Sequence, residues 1–314
     1  MKYRTLGRTG FKVSEVGFGA WAIGGNEHGN SYGPTNDDES LAAIDRALEL
    51  GCNFFDTADA YGHGHSEELL GKALKQYREG VFVATKVGGD FYHDPPRMNF
   101  TADYVRFALE KSCKRLQTDR VDLYQLHNPP TELLKTGKVF EVFEKLKEEG
   151  KIGHYGVSIH DPKEGILAMK QGKPAAIQAV FNILRQDAKH QLFQASQEIN
   201  VGIIAREPLS NGFLTGKLSA ETAFEPGDIR YNFPRGYIHN LSNVAKQLLF
   251  LEGKSRTLAQ AAIRFVLDHK EVSTVIPGAK TVAQAAENLA TSEMSSLTGE
   301  ELLRIRLLRE QGLG

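Results

Sequence analysis

The chain has 314 residues, a formal net charge of −1, 41% hydrophobic residues and 25% charged residues. That is long enough for a sizeable core, and the near-neutral balance gives no electrostatic case for nucleic acid or an anionic membrane as partner. There is no apolar run of the ~18 residues a membrane helix needs, and the start, MKYRTLGRTGFKVSEVGFGAW, lacks the apolar stretch of a signal peptide. Two cysteines, Cys52 and Cys113, without a CxxC, exclude a disulfide framework and fit a reducing cytoplasm.

Residues 2–14, with TLGRTGFKVS around a glycine turn, read as a short hairpin. Short β-rich apolar runs follow at VGFG (16–19), NFFD (53–56), VFVATK (81–86) and VDLYQLH (121–127). Four more lie at HYGVS (154–158), AAIQ (175–178), VGIIAR (201–206) and STVIPG (273–278). Between them, residues 37–51, 101–116, 138–151, 162–172 and 257–270 place apolar side chains three and four apart, often with a glycine at the end, as helices do. A further helical pattern near 298–310 leaves no long C-terminal segment to close over a site.

Eight strands alternating with helices predict parallel pairing and a (β/α)8 TIM barrel, an α/β fold, with the hairpin capping the barrel floor and one domain over 1–314. An open doubly wound sheet would carry GxGxxG after its first strand, and GFGAWAIGG does not fit it. The turn-rich stretch 217–240 is long and irregular, which in a compact domain marks a functional loop.

In such a barrel, chemistry gathers at the C-terminal ends of the strands. Three consecutive strands end on ionisable residues, Asp56, Lys86 and His127, and Tyr61 stands in the loop after the first of them. Later strands end on Ser158, Gln178 and Arg206. Tyrosine is a weak acid, with a reference pKa of ~10, and needs a nearby cation to stabilise its phenolate. Lys86 supplies that cation and lowers the Tyr61 pKa, Asp56 keeps Lys86 charged and oriented, and His127 hydrogen-bonds a carbonyl oxygen. The set suits general acid catalysis of a reduction, with a cofactor carrying the hydride. The pair His63 and His65 also raises zinc ligation, but a SEELLG helix start follows directly and no metal is expected.

The order, spacing and surrounding words of these four residues (FDTADAYG, ATK, LH) resemble the aldo-keto reductase family, and the similarity runs from RTLGRTG to the ENLA at 287–290. The resemblance implies NADPH (NADH being possible) as cofactor and aldehyde, ketone or sugar carbonyls as small-molecule substrates. It places Ala20, Trp21 and Asp56 against the cofactor, Ser158 and Gln178 on the nicotinamide carboxamide, and Arg206 where many members stack an aromatic ring. PLSNGFLTGK (208–217) resembles a pyrophosphate-wrapping loop, through Pro208, Leu209, Gly212 and Lys217. IPGAKTVAQAAENL (276–289) resembles the adenosine-end signature, through Gly278, Lys280, Gln284, Glu287 and Asn288, with Arg230 at the same end. Trp21, Tyr61, Phe91 and His127 are expected to line the substrate pocket, with Tyr92 beside Phe91. Ile159 departs from the asparagine common there. Relatives that serve as potassium-channel subunits have Asn at the position of His127, so the resemblance favours an enzyme over a cofactor-binding regulatory protein.

Overall fold

In a computed structural model of the chain, which describes residues 1–28 and 31–311, eight parallel strands form one sheet with helices packed outside it. The strands are β1 (Phe18–Gly19), β2 (Phe54–Asp56), β3 (Phe82–Val87), β4 (Val121–His127), β5 (Ile152–Ser158), β6 (Ala176–Val180), β7 (Gly202–Arg206) and β8 (Val272–Val275). Each pairs with its neighbours in chain order. The sheet closes through parallel bridges from Val16 to Val275 and from Gly19 to Gly278, where Gly17 N–H donates to Val275 O at 2.8 Å. Gly19 is required at that seam, because a Cβ there would sit 2.7 Å from the carbonyl oxygen of Ile276.

The pleat of the strands sorts the barrel interior into two layers. The lower layer is apolar: Phe54, Ala84, Leu123, Ala176, Ile204 and Ile276 cluster there. Leu6 and Val13 of the hairpin (Tyr3–Thr5 paired antiparallel with Lys12–Ser14) join that cluster, with Phe11, and so plug the floor. Two residues further along the same chain segments stand Asp56, Lys86, Gln125, Gln178, Arg206 and Gly278. Side chains two apart on a strand share a face, so one step along the pleat turns the lumen from hydrocarbon to hydrogen-bonding groups. The larger core lies outside the strands, where Leu69, Leu109, Phe143, Val157 and Ala262 pack between sheet and helices.

The predicted helices appear as Asp37–Glu49, Ala102–Arg115, Val139–Glu148, Pro162–Gln171, Leu258–Leu267 and Gly299–Glu310. Most start at a side-chain cap: Asn36, Thr101, Asp161, Thr257 and Thr298 each accept a first-turn backbone N–H. The stretch 217–240 is less irregular than its turn residues suggest, since helix Arg235–Gln247 begins inside it, with Pro234 as a ready start. Both cysteines are free, Cys52 buried and Cys113 partly so. No described helix is long and apolar enough to cross a membrane.

Candidate active site

Lys86 is fully buried, and its ammonium donates to Asp56 Oδ1 at 2.5 Å, to the carbonyl of Thr57 at 2.8 Å and to the Tyr61 hydroxyl at 3.1 Å. Three strong contacts exhaust its three protons. Tyr61 arrives from the loop after β2, where Gly62 (φ 60°) lets the chain press against Gly24; a Cβ on Gly62 would lie 2.0 Å from the Gly24 oxygen. His127, at the end of β4, meets the Tyr61 ring edge-on at 5.7 Å between centroids. The sequence-predicted four therefore converge on one end of the barrel.

Charge and burial oppose each other here. Burial would lower the Lys86 pKa, but Asp56, and after it Tyr61, outweigh it, so the ammonium is held above the usual lysine value. Burial likewise raises the Tyr61 pKa, and the downward pull of Lys86 does not overcome it. The expected net lowering of Tyr61 is thus corrected: Lys86 acts in the anticipated direction, yet desolvation by the enclosing loops is larger, and Tyr61 rests as a neutral phenol, the form that donates a proton. His127 is driven well below the ordinary histidine range by burial, then by the positive charges of Lys86 and Arg206, which makes it a neutral imidazole.

Asp56 Oδ2 accepts two further hydrogen bonds, from Gln178 Nε2 at 2.7 Å and Gln125 Nε2 at 3.1 Å. Gln178 thus holds Asp56 in this state, a contact absent from the expectation that it faces a carboxamide. Gln125 was missed altogether. Its signal was available, since it lies two residues before His127 and so on the same face of β4.

A cavity of about 680 Å³ extends from Trp21, Tyr61 and His127 to Lys280 and Gln284. Of the residues expected at the cofactor, Trp21, Asp56, Gln178, Arg206, Pro208, Leu209, Gly212, Lys217, Arg230, Gly278, Lys280, Gln284, Glu287 and Asn288 line it, whereas Ala20 and Ser158 do not. Ala20 is buried behind the wall, with its N–H on Asp56 O. The Ser158 hydroxyl lies 3.3 Å from Asn128 Oδ1, and Asn128, another residue missed, takes the wall position. Ile159 is buried in the outer core.

Arg206 is held by Glu207, by the carbonyl of Ile159 at 3.1 Å and by His160 Nδ1 at 3.4 Å, while its Nε is buried without a partner. At the far end the cations are already engaged. Lys280 Nζ donates to the carbonyls of Tyr32, Gly33 and Pro34 at 2.6, 3.3 and 3.1 Å, and Lys217 pairs with Glu287 at 3.5 Å. Arg230 binds Asp228 Oδ1 and Oδ2 at 2.9 and 2.6 Å and lies over the Tyr32 ring, 4.7 Å from its centroid. Tyr32, also unforeseen, hydrogen-bonds Asn211 at 2.9 Å and joins the two loops across the cavity. A cavity of this volume, lined by the cations Lys217, Arg230 and Lys280 as well as by Tyr61 and His127, has room and charge for a dinucleotide.

Phe91 lies outside the cavity lining; it stacks on His63 at 4.6 Å, which stacks in turn on His28 at 4.0 Å. The loop after β3 therefore packs against the Tyr61 loop instead of reaching over the opening. His65 Nε2 meets Asp37 at 2.8 Å, so His63 and His65 serve different neighbours, and no group of three metal-ligating side chains occurs among the described residues.

Comparison with known proteins agrees with this geometry. The model of the aldo/keto reductase family matches residues 15–310. The chain is 30% identical to an uncharacterized oxidoreductase, YqkF, of Bacillus subtilis, over 100% of this chain and 98% of that protein. It is also 30% identical to the aldo-keto reductase yakc [NADP(+)] of Schizosaccharomyces pombe, over 92% of this chain and 87% of that one. Among solved structures, the holo form of aldo-keto reductase AKR11C1 from Bacillus halodurans superposes with a TM-score of 0.80 at 32% identity, covering 98% of this chain and 96% of the other.

Proposed function

Because the chain belongs to the aldo/keto reductase family, we propose that it is an NADPH-dependent oxidoreductase that reduces aldehyde, ketone or sugar carbonyls to alcohols. The observation that carries this reading is the Lys86 ammonium seated between Asp56 and the Tyr61 hydroxyl, at 2.5 and 3.1 Å. The cavity beside it suits a dinucleotide, and a relative is named for NADP(+). When bound, the nicotinamide supplies the hydride, which no side chain can deliver.

The residues of the chain do the rest. Neutral His127 hydrogen-bonds the carbonyl oxygen and fixes its direction toward Tyr61. Tyr61 gives its phenolic proton to that oxygen as negative charge develops there. Lys86, 3.1 Å away, stabilises the phenolate left behind, and Asp56 keeps the ammonium charged. Lys280 and Arg230 are the candidate phosphate donors; each must exchange a carbonyl or carboxylate partner for the ligand, so selectivity for NADPH over NADH depends on that exchange. The two free cysteines fit a reducing cytoplasm as the place where such an enzyme acts on a small molecule. The test is cofactor oxidation by the purified protein with NADPH and NADH across a panel of aldehydes, ketones and aldoses. Carbonyl-dependent oxidation is expected, and its absence with every carbonyl would overturn the reading.

A further inference from the structure

Asp56 is served by two amides that differ in one respect. Gln178 lines the cavity, and Gln125, fully buried, stands behind it without reaching the cavity wall. Both donate to the same oxygen, Asp56 Oδ2, at 2.7 and 3.1 Å, and their own side chains touch, with Gln178 Nε2 3.5 Å from Gln125 Oε1. Both amides are buried, Gln178 1% exposed and Gln125 not at all, but only Gln178 borders the space a ligand would fill. A buried carboxylate stripped of its donors is costly, so an amide at that border can turn toward a ligand only where another keeps the carboxylate satisfied.

We infer that Gln125 is a positioning residue: it holds Asp56 against Lys86 so that Gln178 can leave Asp56 and hydrogen-bond the cofactor. Gln125 touches neither cofactor nor substrate and acts through Asp56. The inference rests on the reading of the cavity as a dinucleotide site, and it adds an order to the layer. The interior amide stays and the wall amide exchanges.

The test is a double-mutant cycle read as NADPH binding, by quenching of Trp21, the one tryptophan of the chain. Gln125→Met keeps the side-chain length and removes the donor. Binding that recruits Gln178 then leaves Asp56 Oδ2 without a donor while Lys86 still holds Oδ1, so the dissociation constant should rise roughly tenfold. In a Gln178→Met background nothing is recruited, and Gln125→Met should change the constant by less than about twofold. Equal effects in both backgrounds, or none in either, would overturn the inference, because a residue that merely fills space does not know whether Gln178 is present.

Should Gln125→Met fail to fold, Gln125→Glu keeps the shape and can donate to Asp56 only when a proton is shared between the two carboxylates. Its NADPH affinity relative to the parent should then fall at alkaline pH and recover on acidification; a ratio independent of pH would overturn the inference. The cycle reads binding alone. A protein that binds NADPH yet reduces no carbonyl would sink the catalytic reading, while the cycle still decides the role of Gln125.

Discussion

Removing the cation at the centre of the site is the perturbation whose size follows most directly from the geometry. Lys86→Met keeps a long side chain in a fully buried slot and deletes the charge. Across the 3.1 Å between Nζ and the Tyr61 oxygen, an ammonium and a phenolate attract by about 5 kcal/mol at an effective dielectric of ~20. That attraction is absent while Tyr61 is neutral and grows as its proton leaves, so it belongs to the transition state. Fully realised it would be worth nearly ~10⁴ in rate; with the proton only partly transferred, a loss of ~10²–10⁴ is expected. The assay is single-turnover hydride transfer with saturating NADPH and aldehyde, which separates chemistry from binding and release. A variant within tenfold of the parent would mean that the Lys86 ammonium does not stabilise the developing Tyr61 phenolate. So would simple multiplication of the losses in Lys86→Met with Tyr61→Phe, because residues acting as one unit are not additive. A melting curve completes the experiment, since the Asp56 carboxylate left without its cation should cost on the order of 3–5 kcal/mol of stability.

Tyr61→Phe keeps the ring and removes the transferable proton, so reduction should fall by ~10² or more with NADPH affinity nearly unchanged; retention of over half the parental rate would clear Tyr61 of that role. Lys280→Ala with Arg230→Ala should weaken NADPH far more than NADH, each charge-assisted contact being worth ~1.5–3 kcal/mol, and equal losses for the two cofactors would remove both residues from phosphate recognition. His127 is buried and neutral with a lowered pKa, so between that value and the unfolded value of ~6.5 the unfolded chain binds the extra proton and stability falls as pH falls, by at most ~1.4 kcal/mol per pH unit for this group. His127→Gln should flatten that part of the melting-temperature profile between pH 7.5 and 5; an unchanged slope would show that the proton uptake belongs elsewhere.

The barrel was legible because its signals are local and periodic. Eight apolar runs, the glycine turns and the helix caps each lie within a few residues of one another, and the pleat alone puts Asp56, Lys86 and His127 on the inner face. The same alternation points Gln125 inward, but its partner lies 69 positions away in the chain, on a strand two places around the sheet, and no local pattern names it. Phe91 went astray for a related reason. Its loop faces either the opening or the neighbouring loop, and the stack with His63 and His28 decides between them. Lys280 and Arg230 were placed at the adenosine end from the motif alone, which does not disclose the internal acceptors the folded chain gives them in Tyr32, Gly33, Pro34 and Asp228. The sign of the Tyr61 shift depends on how completely the loops exclude water, a property of the closed fold that residue order does not carry.

Hydride delivery to a carbonyl carbon, with Tyr61 protonating the oxygen, can be followed by turnover of an aldehyde with NADPH deuterated at the transferring position of the nicotinamide and mass analysis of the alcohol. The account predicts one deuterium on the carbinol carbon of the parent's product, and a loss of ~10² or more in its rate of formation in Tyr61→Phe. Alcohol formed without deuterium, or formed equally fast by the variant, would contradict it.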